Sequence, residues 1–392
     1  MDENLIYLDH NATTPLDEEA FEALRPYLME SFGNAASRQH ALGQRSAQAV
    51  AKAREQVAEA LGADAREIVW TSGATEANNL AIKGVSGSPA YKKRHLVTVC
   101  TEHKAVLDPF AALEEDGFEV TRLRVDGEGL LDTAEFEAAL REDTLLVSVM
   151  HANNEIGVLH PLETIGSLCK ERGVLFHTDA TQAVGKEPID VEALGIDLLS
   201  LSAHKFHGPK GVGALYVRRR GPRVRCRPLL DGGGHERGYR SGTLNVPGIV
   251  GLAVALQKSL RVRDEEQARI RGQRDRFEAD LLSAVEGTHV NGNHAQRLAS
   301  TSNIYFEGTD ADSLLSRVPE LCASSSAACT SAQLQPSYVL AALGHDAKRL
   351  RGSLRFSLGR DTSEAELERA LQLLQVAVAA ERSEGPRPLC PS

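Results

Sequence analysis

Short apolar runs and helix-length amphipathic segments alternate along the first two-thirds of the chain. Seven runs rich in Val, Ile and Leu predict strands, at residues 67–71, 95–100, 118–124, 144–150, 174–177, 197–201 and 213–217. Segments between them predict helices, of which the clearest are 44–61, 104–116 and 162–172. Apolar strands separated by helices are typical of a largely parallel sheet that is covered on both faces. Ligands of such sheets bind at the carboxyl ends of the strands.

The pattern changes after about residue 246. The later segments predict one or two helices and then a mixture of strands and helices, at residues 246–286, 301–306, 310–317, 353–358 and 363–382. The fold class is therefore α/β, with a large sheet domain and a smaller α+β domain. We expect the large domain at residues 16–255, the small domain at 1–15 and 256–382, and a disordered tail at 383–392, which contains three prolines.

Composition and charge narrow the classes of function. Hydrophobic residues make up 42% of the 392 positions and charged residues 25%, as in an ordinary globular protein. A net charge of -10 argues against nucleic acid or an anionic membrane as a partner. Six scattered cysteines are too few for a disulfide framework, so we expect reduced thiols. With no secretory signal and no span-length apolar stretch in the sequence, the prediction is a cytoplasmic enzyme.

Lys205 is the first residue that indicates chemistry. It follows an apolar strand and lies among small residues, histidines and glycines, which predicts a position at the mouth of the sheet. Burial there would lower the pKa of its amine and let the amine form a Schiff base with a carbonyl compound. For this residue alone, an ordinary surface lysine is the alternative. His204 and His207 could suggest a metal, but no further ligand follows at zinc-site spacing, so we expect none.

A carboxylate and an anion-binding turn extend this picture. Asp179 ends a predicted strand and suits a partner for a pyridinium nitrogen, although a helix cap is the alternative. Residues 71–79 turn from a strand into a helix, where backbone N–H groups and the Thr75 hydroxyl can bind an anion. A simple cap that uses Glu76 is the alternative there. Without a dinucleotide or P-loop fingerprint, the sequence favours a phosphate-bearing cofactor that needs a lysine and an aspartate.

Seven motifs, in order along nearly the whole chain, resemble the pyridoxal-phosphate cysteine desulfurases of the NifS/IscS type, within the class V aminotransferases. They are YLDHNATTP (7–15), SGATEANN (72–79), NNEIG (153–157), DATQ (179–182), SAHK (202–205), GGGHERG (232–238) and RSGT (240–243). The resemblance extends from about residue 6 to about residue 382. It implies a fold-type I enzyme that uses pyridoxal 5'-phosphate and forms a homodimer with shared active sites.

The resemblance also implies roles for single residues. Lys205 would bind the cofactor aldehyde, Asp179 the ring nitrogen, and His103 would stack on the ring and relay protons. The other implied cofactor contacts are Ala74, Thr75, Asn154, Gln182, which donates to the ring oxygen, Ser202, His204 and, from the second subunit, Thr243. The implied substrate contacts are Asn11, Asn154 and Arg355. Taken alone, His103 could be a cap or core residue and Arg355 a surface ion pair.

The implied nucleophile is Cys329, in the small-residue run 323–331. Cys322, in a more apolar stretch, fits a packing role instead. The family pattern has a glycine where this chain has Ser326, and residues 33–37 and 385–392 also depart from that pattern.

The implied reaction converts L-cysteine to L-alanine and leaves the sulfur on Cys329 as a persulfide. The persulfide would serve an acceptor protein, such as an iron–sulfur scaffold, or tRNA thiolation. Three alternatives remain open: a selenocysteine lyase, another enzyme of the aminotransferase class, and a cofactor-binding sulfur carrier without turnover. No nucleic-acid or membrane partner is expected.

Overall fold

The largest sheet of the protein has seven strands. The structure, a computed structural model, describes residues 4–325 and 336–385. After a short strand, β1 (Ile6–Tyr7), the sheet strands in chain order are β2 (Ile68–Thr71), β3 (His95–Val99), β4 (Glu119–Leu123), β5 (Thr144–Ser148), β6 (Leu175–Asp179), β7 (Leu198–Ser202) and β8 (Gly213–Val217). They lie side by side in the order β2-β8-β7-β6-β5-β3-β4. Only β8 runs antiparallel to its neighbours in this sheet, which confirms the predicted, mostly parallel architecture.

Helices cover both faces of this sheet. They are α1 (Glu18–Leu24), α2 (Pro26–Met29), α3 (Ala41–Leu61), α4 (Ala74–Ser86), α5 (Lys104–Glu115), α6 (Thr133–Ala139), α7 (Leu162–Arg172) and the first part of α8 (Val246–Ala284). Side chains of β8 alternate between the two faces: Tyr216 packs into the core beneath α3 and α8, and Leu215 into the core beneath α4 and α5. Burial on both faces explains why the strands are continuously apolar.

The parallel strands bring their carboxyl ends to one edge of the sheet. The connections after β2, β3, β5, β6 and β7 all leave from this edge, because these strands run in the same direction. Two helices of the large domain end where the sequence predicts: α3 before β2 ends at Gly62 and α7 before β6 ends at Gly173, both glycines in the left-handed conformation that glycine adopts readily. Residues that follow each strand are therefore neighbours in space.

A second, smaller sheet and its helices form the remaining part of the chain. Its strands are β9 (Thr288–Val290), β10 (Thr301–Phe306), β12 (Ser324–Ser325) and β13 (Ser353–Ser357), in the antiparallel order β12-β13-β10-β9, while β11 (Leu321–Cys322) pairs with β1. The helices are α9 (Ala311–Arg317), α10 (Tyr338–Ala342), α11 (Ala347–Arg351) and α12 (Glu364–Glu384). Ile6 and Leu8 pack into the core of this part, although they begin the chain.

One uninterrupted helix, α8, joins the two cores. Its first half packs Ile249 and Leu252 against the large sheet, and its second half packs Phe277 and Leu281 into the second core. The sequence predicts one or two helices here, and the structure shows one. The predicted domain boundary between residues 255 and 256 falls within this helix and stays a prediction.

Most predicted elements agree with the observed ones to within a few residues. The elements that the sequence did not predict are short: α1, α2, α6, α10, α11, and strands of two or three residues. α12 continues two residues beyond the predicted end at Arg382. Within residues 4–325 and 336–385, no helix combines the length and apolar character needed to cross a membrane.

Phe356 offers a test of the second core. It is fully buried on β13, and its ring meets the Phe277 ring of α8 edge-on with centroids 5.4 Å apart. We expect Phe356→Ala to lower the free energy of unfolding by about 3–5 kcal/mol, because a buried aromatic is removed and a cavity remains. Urea denaturation followed by circular dichroism measures this loss.

The matched control is Val376→Ala on α12, where the side chain is 72% exposed. Its effect should stay within about 0.5 kcal/mol. A loss below about 1 kcal/mol for Phe356→Ala would contradict the proposed packing.

Candidate active site

A cavity of about 1010 Å³ opens at the carboxyl edge of the large sheet. Its wall includes residues of the large sheet and also Arg355 of β13 and Ser324 of β12, so it lies where the two sheets approach each other. Eleven of the residues predicted from the sequence line it: Asn11, Ala74, Thr75, His103, Asn154, Asp179, Gln182, Ser202, His204, Lys205 and Arg355. Residues scattered over more than 340 positions thus share one cavity.

Two predicted site residues are not among the lining residues. Thr243 is exposed and does not line the cavity of its own chain. Cys329 lies in residues 326–335, outside the described residues. The four cysteines that the structure describes are Cys100, Cys169, Cys226 and Cys322; all have free thiols, and none lines the cavity.

Lys205 lies in a single 3-10 turn directly after β7. Its Nζ donates to the backbone oxygens of Asn11 at 2.5 Å and Ala12 at 2.8 Å. Burial lowers the pKa of this amine to about 7; the nearby positive charges of Lys186 and Arg355 add to the effect, which two carboxylates partly offset. The structure therefore places Lys205 inside the cavity and not on the outer surface.

Asp179 ends β6 and is buried. Its Oδ2 accepts a hydrogen bond from Asn78 Nδ2 at 2.7 Å, and its Oδ1 accepts one from the Thr181 N–H at 2.9 Å. The second contact stabilises a turn: residues 181–186 form turns and not the helix whose cap the sequence offered as the alternative. Together the two bonds fix a carboxylate that faces the cavity as an acceptor.

The N-terminus of α4 faces the same cavity. Its N-cap residue, Gly73, makes no side-chain cap, so the first backbone N–H groups of this 13-residue helix have no side-chain acceptor from that position. Glu76 accepts from the Ser72 N–H at 2.8 Å and pairs with Arg240 at 2.9 Å. The positive end of the helix, with Ser202 beside it in the cavity wall, can bind an anion.

His103 is the N-cap residue of α5. Its Nδ1 accepts the Ala105 N–H at 3.0 Å, so the neutral ring carries its proton on Nε2. The ring is exposed to the cavity, and the surrounding protein lowers the pKa of His103 by removing solvent from it. The cap interpretation from the sequence is correct, and the cap leaves Nε2–H available as a donor.

Arg355 lies opposite, on the wall formed by the small sheet. One of its terminal nitrogens donates to Asp9 Oδ1 at 2.7 Å and Ser324 Oγ at 2.9 Å, and the other donates to the Asn154 backbone oxygen at 3.0 Å. Arg355 is buried in the cavity wall and its partner Asp9 is half-buried, unlike the surface pair offered as an alternative. Arg355 Nε and the side-chain oxygens of Asn11 and Asn154 are buried without a partner among the described residues, as expected for groups that bind a polar ligand.

Sequence reasoning missed Glu102, which lies directly before His103. Its side chain is fully buried; Oε1 accepts the Met150 N–H, and Oε2 has no partner among the described residues. Burial, reinforced by the negative charge of Asp179, raises the pKa of Glu102 well above the ordinary value for glutamate. Glu102 therefore keeps its proton to a higher pH than an exposed glutamate does, while Asp179 accepts two hydrogen bonds.

The sequence interpretation also assigned no role to three further residues, Asp9, Asn78 and Lys186. Asp9 and Asn78 stand inside quoted motifs, which was the available signal. Lys186 follows the motif that contains Gln182 by four positions and carries no motif of its own.

Comparisons with known proteins match nearly the whole chain to one family and to named relatives. The aminotransferase class-V family model matches residues 6–370. A protein named cysteine desulfurase IscS from Anaeromyxobacter sp. (strain Fw109-5) is 52% identical over 381 residues, which cover 97% of this chain and 94% of the relative. Its namesake from Methylobacillus flagellatus is 51% identical over 383 residues, with the same coverage.

Two solved structures have a similar fold. A NifS-like protein is 36% identical with a TM-score of 0.89, covering 96% of this chain and 99% of that one. SspA in complex with cysteine is 38% identical with a TM-score of 0.79, covering 90% of this chain and 98% of that one.

The raised pKa of Glu102 can be tested by measuring how the free energy of unfolding depends on pH. Above about pH 4.5 the unfolded chain releases the proton that folded Glu102 retains, so this group's contribution to stability falls as the pH rises. In Glu102→Gln the amide stays neutral and Oε1 can still accept the Met150 N–H. The stability of wild type relative to this variant should therefore fall by up to about 1.4 kcal/mol per pH unit above that point.

Urea denaturation at several pH values measures the difference. Glu115→Gln, at an exposed position on α5, is the control and should show a stability curve parallel to wild type. Parallel curves for wild type and Glu102→Gln would show that the buried carboxyl is not held neutral.

Proposed function

Because the chain belongs to the class-V aminotransferase family, we propose that it is a pyridoxal-phosphate-dependent cysteine desulfurase. The observation that carries the proposal is the single cavity shared by Lys205, Asp179 and Arg355. A relative at 52% identity over nearly the full length bears the same activity in its name. The reaction converts L-cysteine to L-alanine and passes the sulfur through an enzyme persulfide to an acceptor protein, as in iron–sulfur cluster assembly.

The residues present fit pyridoxal 5'-phosphate. The N-terminus of α4, with Thr75, Ser202 and His204, suits the phosphate, because its backbone donors face the cavity and Gly73 supplies no cap. Asp179 suits the ring nitrogen and Lys205 the aldehyde carbon. When bound, this cofactor withdraws electrons from the α-carbon of an amino acid.

Lys205 and His103 are the residues proposed to transfer protons. A pKa of about 7 leaves about half of the Lys205 amine as free base at pH 7, so Nζ can take the α-proton of bound L-cysteine. The carbonyl oxygens of Asn11 and Ala12 hold Nζ in place and then accept from the ammonium. His103 presents Nε2–H to the cavity and can supply a proton to the three-carbon product.

Arg355 is the residue proposed to orient the substrate. Its guanidinium, set by Asp9 and the Asn154 backbone oxygen, suits a carboxylate, and its unpartnered Nε is a donor that a carboxylate can take. Asn154 lines the cavity beside Arg355 and is the second proposed contact of the substrate carboxylate. Asn11 lines the same cavity and is the third proposed substrate contact.

Cys329 is the proposed nucleophile. It follows Ser325, which lines the cavity, by four positions. Its thiolate attacks the sulfur of the substrate, so that a sulfur–sulfur bond forms while the bond from that sulfur to the β-carbon breaks. The electron pair of the broken bond stays with the carbon skeleton, which is protonated and leaves as L-alanine. A nucleophile of the acceptor then attacks the outer sulfur, the sulfur–sulfur bond breaks, and Cys329 leaves as a thiolate, which a reducing cytoplasm keeps ready for the next turnover.

A homodimer with shared sites completes the proposal. Thr243 is exposed and does not line its own cavity, which suits a role at the phosphate site of a second copy. A second copy would also cover the exposed apolar side chains of Leu28, Met29 and Phe32, of which Met29 is 78% exposed.

Replacement of Lys205 tests the cofactor assignment. Purified wild type supplied with pyridoxal 5'-phosphate should show a visible absorbance band that changes on addition of L-cysteine. Lys205→Ala should lose the lysine-dependent band and release alanine at least about 100-fold more slowly, since both the covalent link and the base are removed. Lys52→Ala, at an exposed position on α3 and not among the residues that line the cavity, is the control and should keep both. A wild-type protein without the band would refute the assignment.

Replacement of Cys329 tests the sulfur step. Cys329→Ala should form no persulfide and release no alanine from L-cysteine above background, because no thiolate remains to accept the sulfur. Cys322→Ala, on the strand paired with β1, should keep wild-type turnover. Alanine release from L-selenocysteine is measured in parallel. Turnover by Cys329→Ala on L-cysteine, or wild-type activity confined to L-selenocysteine, would contradict the proposal.

A further inference from the structure

We propose that Lys186 is a positioning residue of this site, which orients the side-chain amide of Gln182 and places a second positive charge near Lys205. Lys186 is not among the residues that line the cavity, so it acts through its neighbours. The inference rests on the proposed function, because the residues that it positions are those proposed to hold the cofactor.

The orientation of Gln182 follows from hydrogen bonding on both sides of its amide. Lys186 Nζ donates to Gln182 Oε1 at 3.3 Å, and Gln182 Nε2 donates to the Asn11 backbone oxygen at 2.9 Å. A lysine has donors only and a carbonyl oxygen is an acceptor only, so the amide fits in one orientation. With Lys186 in place, the N–H₂ end of Gln182 is directed toward the site.

The same bonds connect the two lysines. The Asn11 backbone oxygen that accepts from Gln182 Nε2 also accepts from Lys205 Nζ at 2.5 Å. A chain of three hydrogen bonds therefore runs from Lys186 through Gln182 and Asn11 to Lys205. A shift of the Gln182 amide would disturb the acceptor that holds the Lys205 amine.

Among the described residues, Lys186 forms no ion pair within 4.0 Å, although the carboxylates of Glu187 and Glu266 act on its charge. Burial lowers the pKa of its amine to about 8, so it carries a charge at pH 7. The charged or titratable groups around it are Glu187, Glu266, Arg355, His10 and His207, of which burial keeps the two histidines neutral with pKa values of about 4 and 3.

This charge acts on Lys205. The groups that face the Lys205 amine are the cations Lys186 and Arg355, the carboxylates Asp179 and Asp9, and the histidines His103 and His204, whose pKa values are lowered by burial. Loss of the Lys186 charge would leave one cation against two carboxylates, which would raise the pKa of Lys205. The effect is present below about pH 8 and fades above it, where Lys186 itself loses its proton.

A purely structural role does not account for this lysine. A partly buried amine with one neutral acceptor destabilises the fold, whereas methionine would fill a similar volume without that penalty. Lys186→Met is therefore expected to melt at or above the wild-type temperature. A charge retained at a cost in stability is characteristic of functional sites.

The test compares wild type, Lys186→Met and the charge-conserving Lys186→Arg as full-length proteins loaded with pyridoxal 5'-phosphate. The pH midpoint of the visible cofactor band should rise by about one unit in Lys186→Met, because a nearby positive charge that favours the deprotonated nitrogen is gone. Lys186→Arg should keep the wild-type midpoint. Titration with the cofactor should show binding weakened about fivefold in Lys186→Met, since the Gln182 amide is no longer held.

The outcomes separate this inference from the proposed function. A wild-type protein that shows the band and releases alanine, with an unchanged midpoint in Lys186→Met, would overturn the inference and leave the function standing. A wild-type protein without band or turnover would overturn the function and the inference together. If Lys186→Met does not fold, the fold needs this lysine and the melting expectation is wrong; Lys186→Gln then removes the charge for the same midpoint comparison.

Discussion

The position of the Lys205 amine, held by two backbone oxygens and no carboxylate, is the constraint on which the rest of the site depends. Within residues 4–325 and 336–385 it forms no ion pair, so nothing compensates fully for its loss of solvent and its pKa falls to about 7. A carboxylate in contact would favour the charged form and remove the free base on which the proposed chemistry relies. The carbonyl oxygens of Asn11 and Ala12 hold the amine without imposing that charge.

Those two oxygens can act only if the segment around Asn11 is itself fixed. The Asn11 N–H donates to Ser357 Oγ and its side chain donates to Thr301 Oγ1, both on the small sheet. Thr14 is bonded to the backbone oxygen of His204, next to Lys205. The segment after β1 thus connects the two sheets. The small sheet forms the cavity wall opposite Lys205 and also anchors Asn11, whose backbone oxygen accepts from Lys205 Nζ. A shift of the small sheet would move Asn11 and change how the Lys205 amine is held.

The charged side chains of the site have different surroundings, and their hydrogen-bond partners and pKa values differ accordingly. Asp179 accepts two hydrogen bonds and faces the cavity, whereas Glu102, close behind it, is buried with one accepted bond and has a raised pKa. Arg355 is paired with Asp9, and Lys186 has only an amide oxygen. Two carboxyl groups and two cations therefore differ in their contacts: Asp179 accepts hydrogen bonds at the cavity, Glu102 has a raised pKa, Arg355 is in an ion pair, and Lys186 is in none among the described residues. Such separation of like groups by environment is a recurring way to assign acid and base roles.

The sequence by itself determined the elements whose signal is local. Apolar periodicity predicted the seven strands of the large sheet and the long helices, and the motifs around Lys205, Asp179 and residues 72–79 indicated the cofactor chemistry. It missed short elements such as α10 and α11, which are too short to show a period. Only the tertiary structure decided the contacts of Asp9 with Arg355 and of Asn11 with Lys205, which join residues 346 and 194 positions apart. The raised pKa of Glu102, and the lack of an ion pair at Lys186 within the described residues, arise in the same way, because burial and the distance between charges depend on how the whole chain folds.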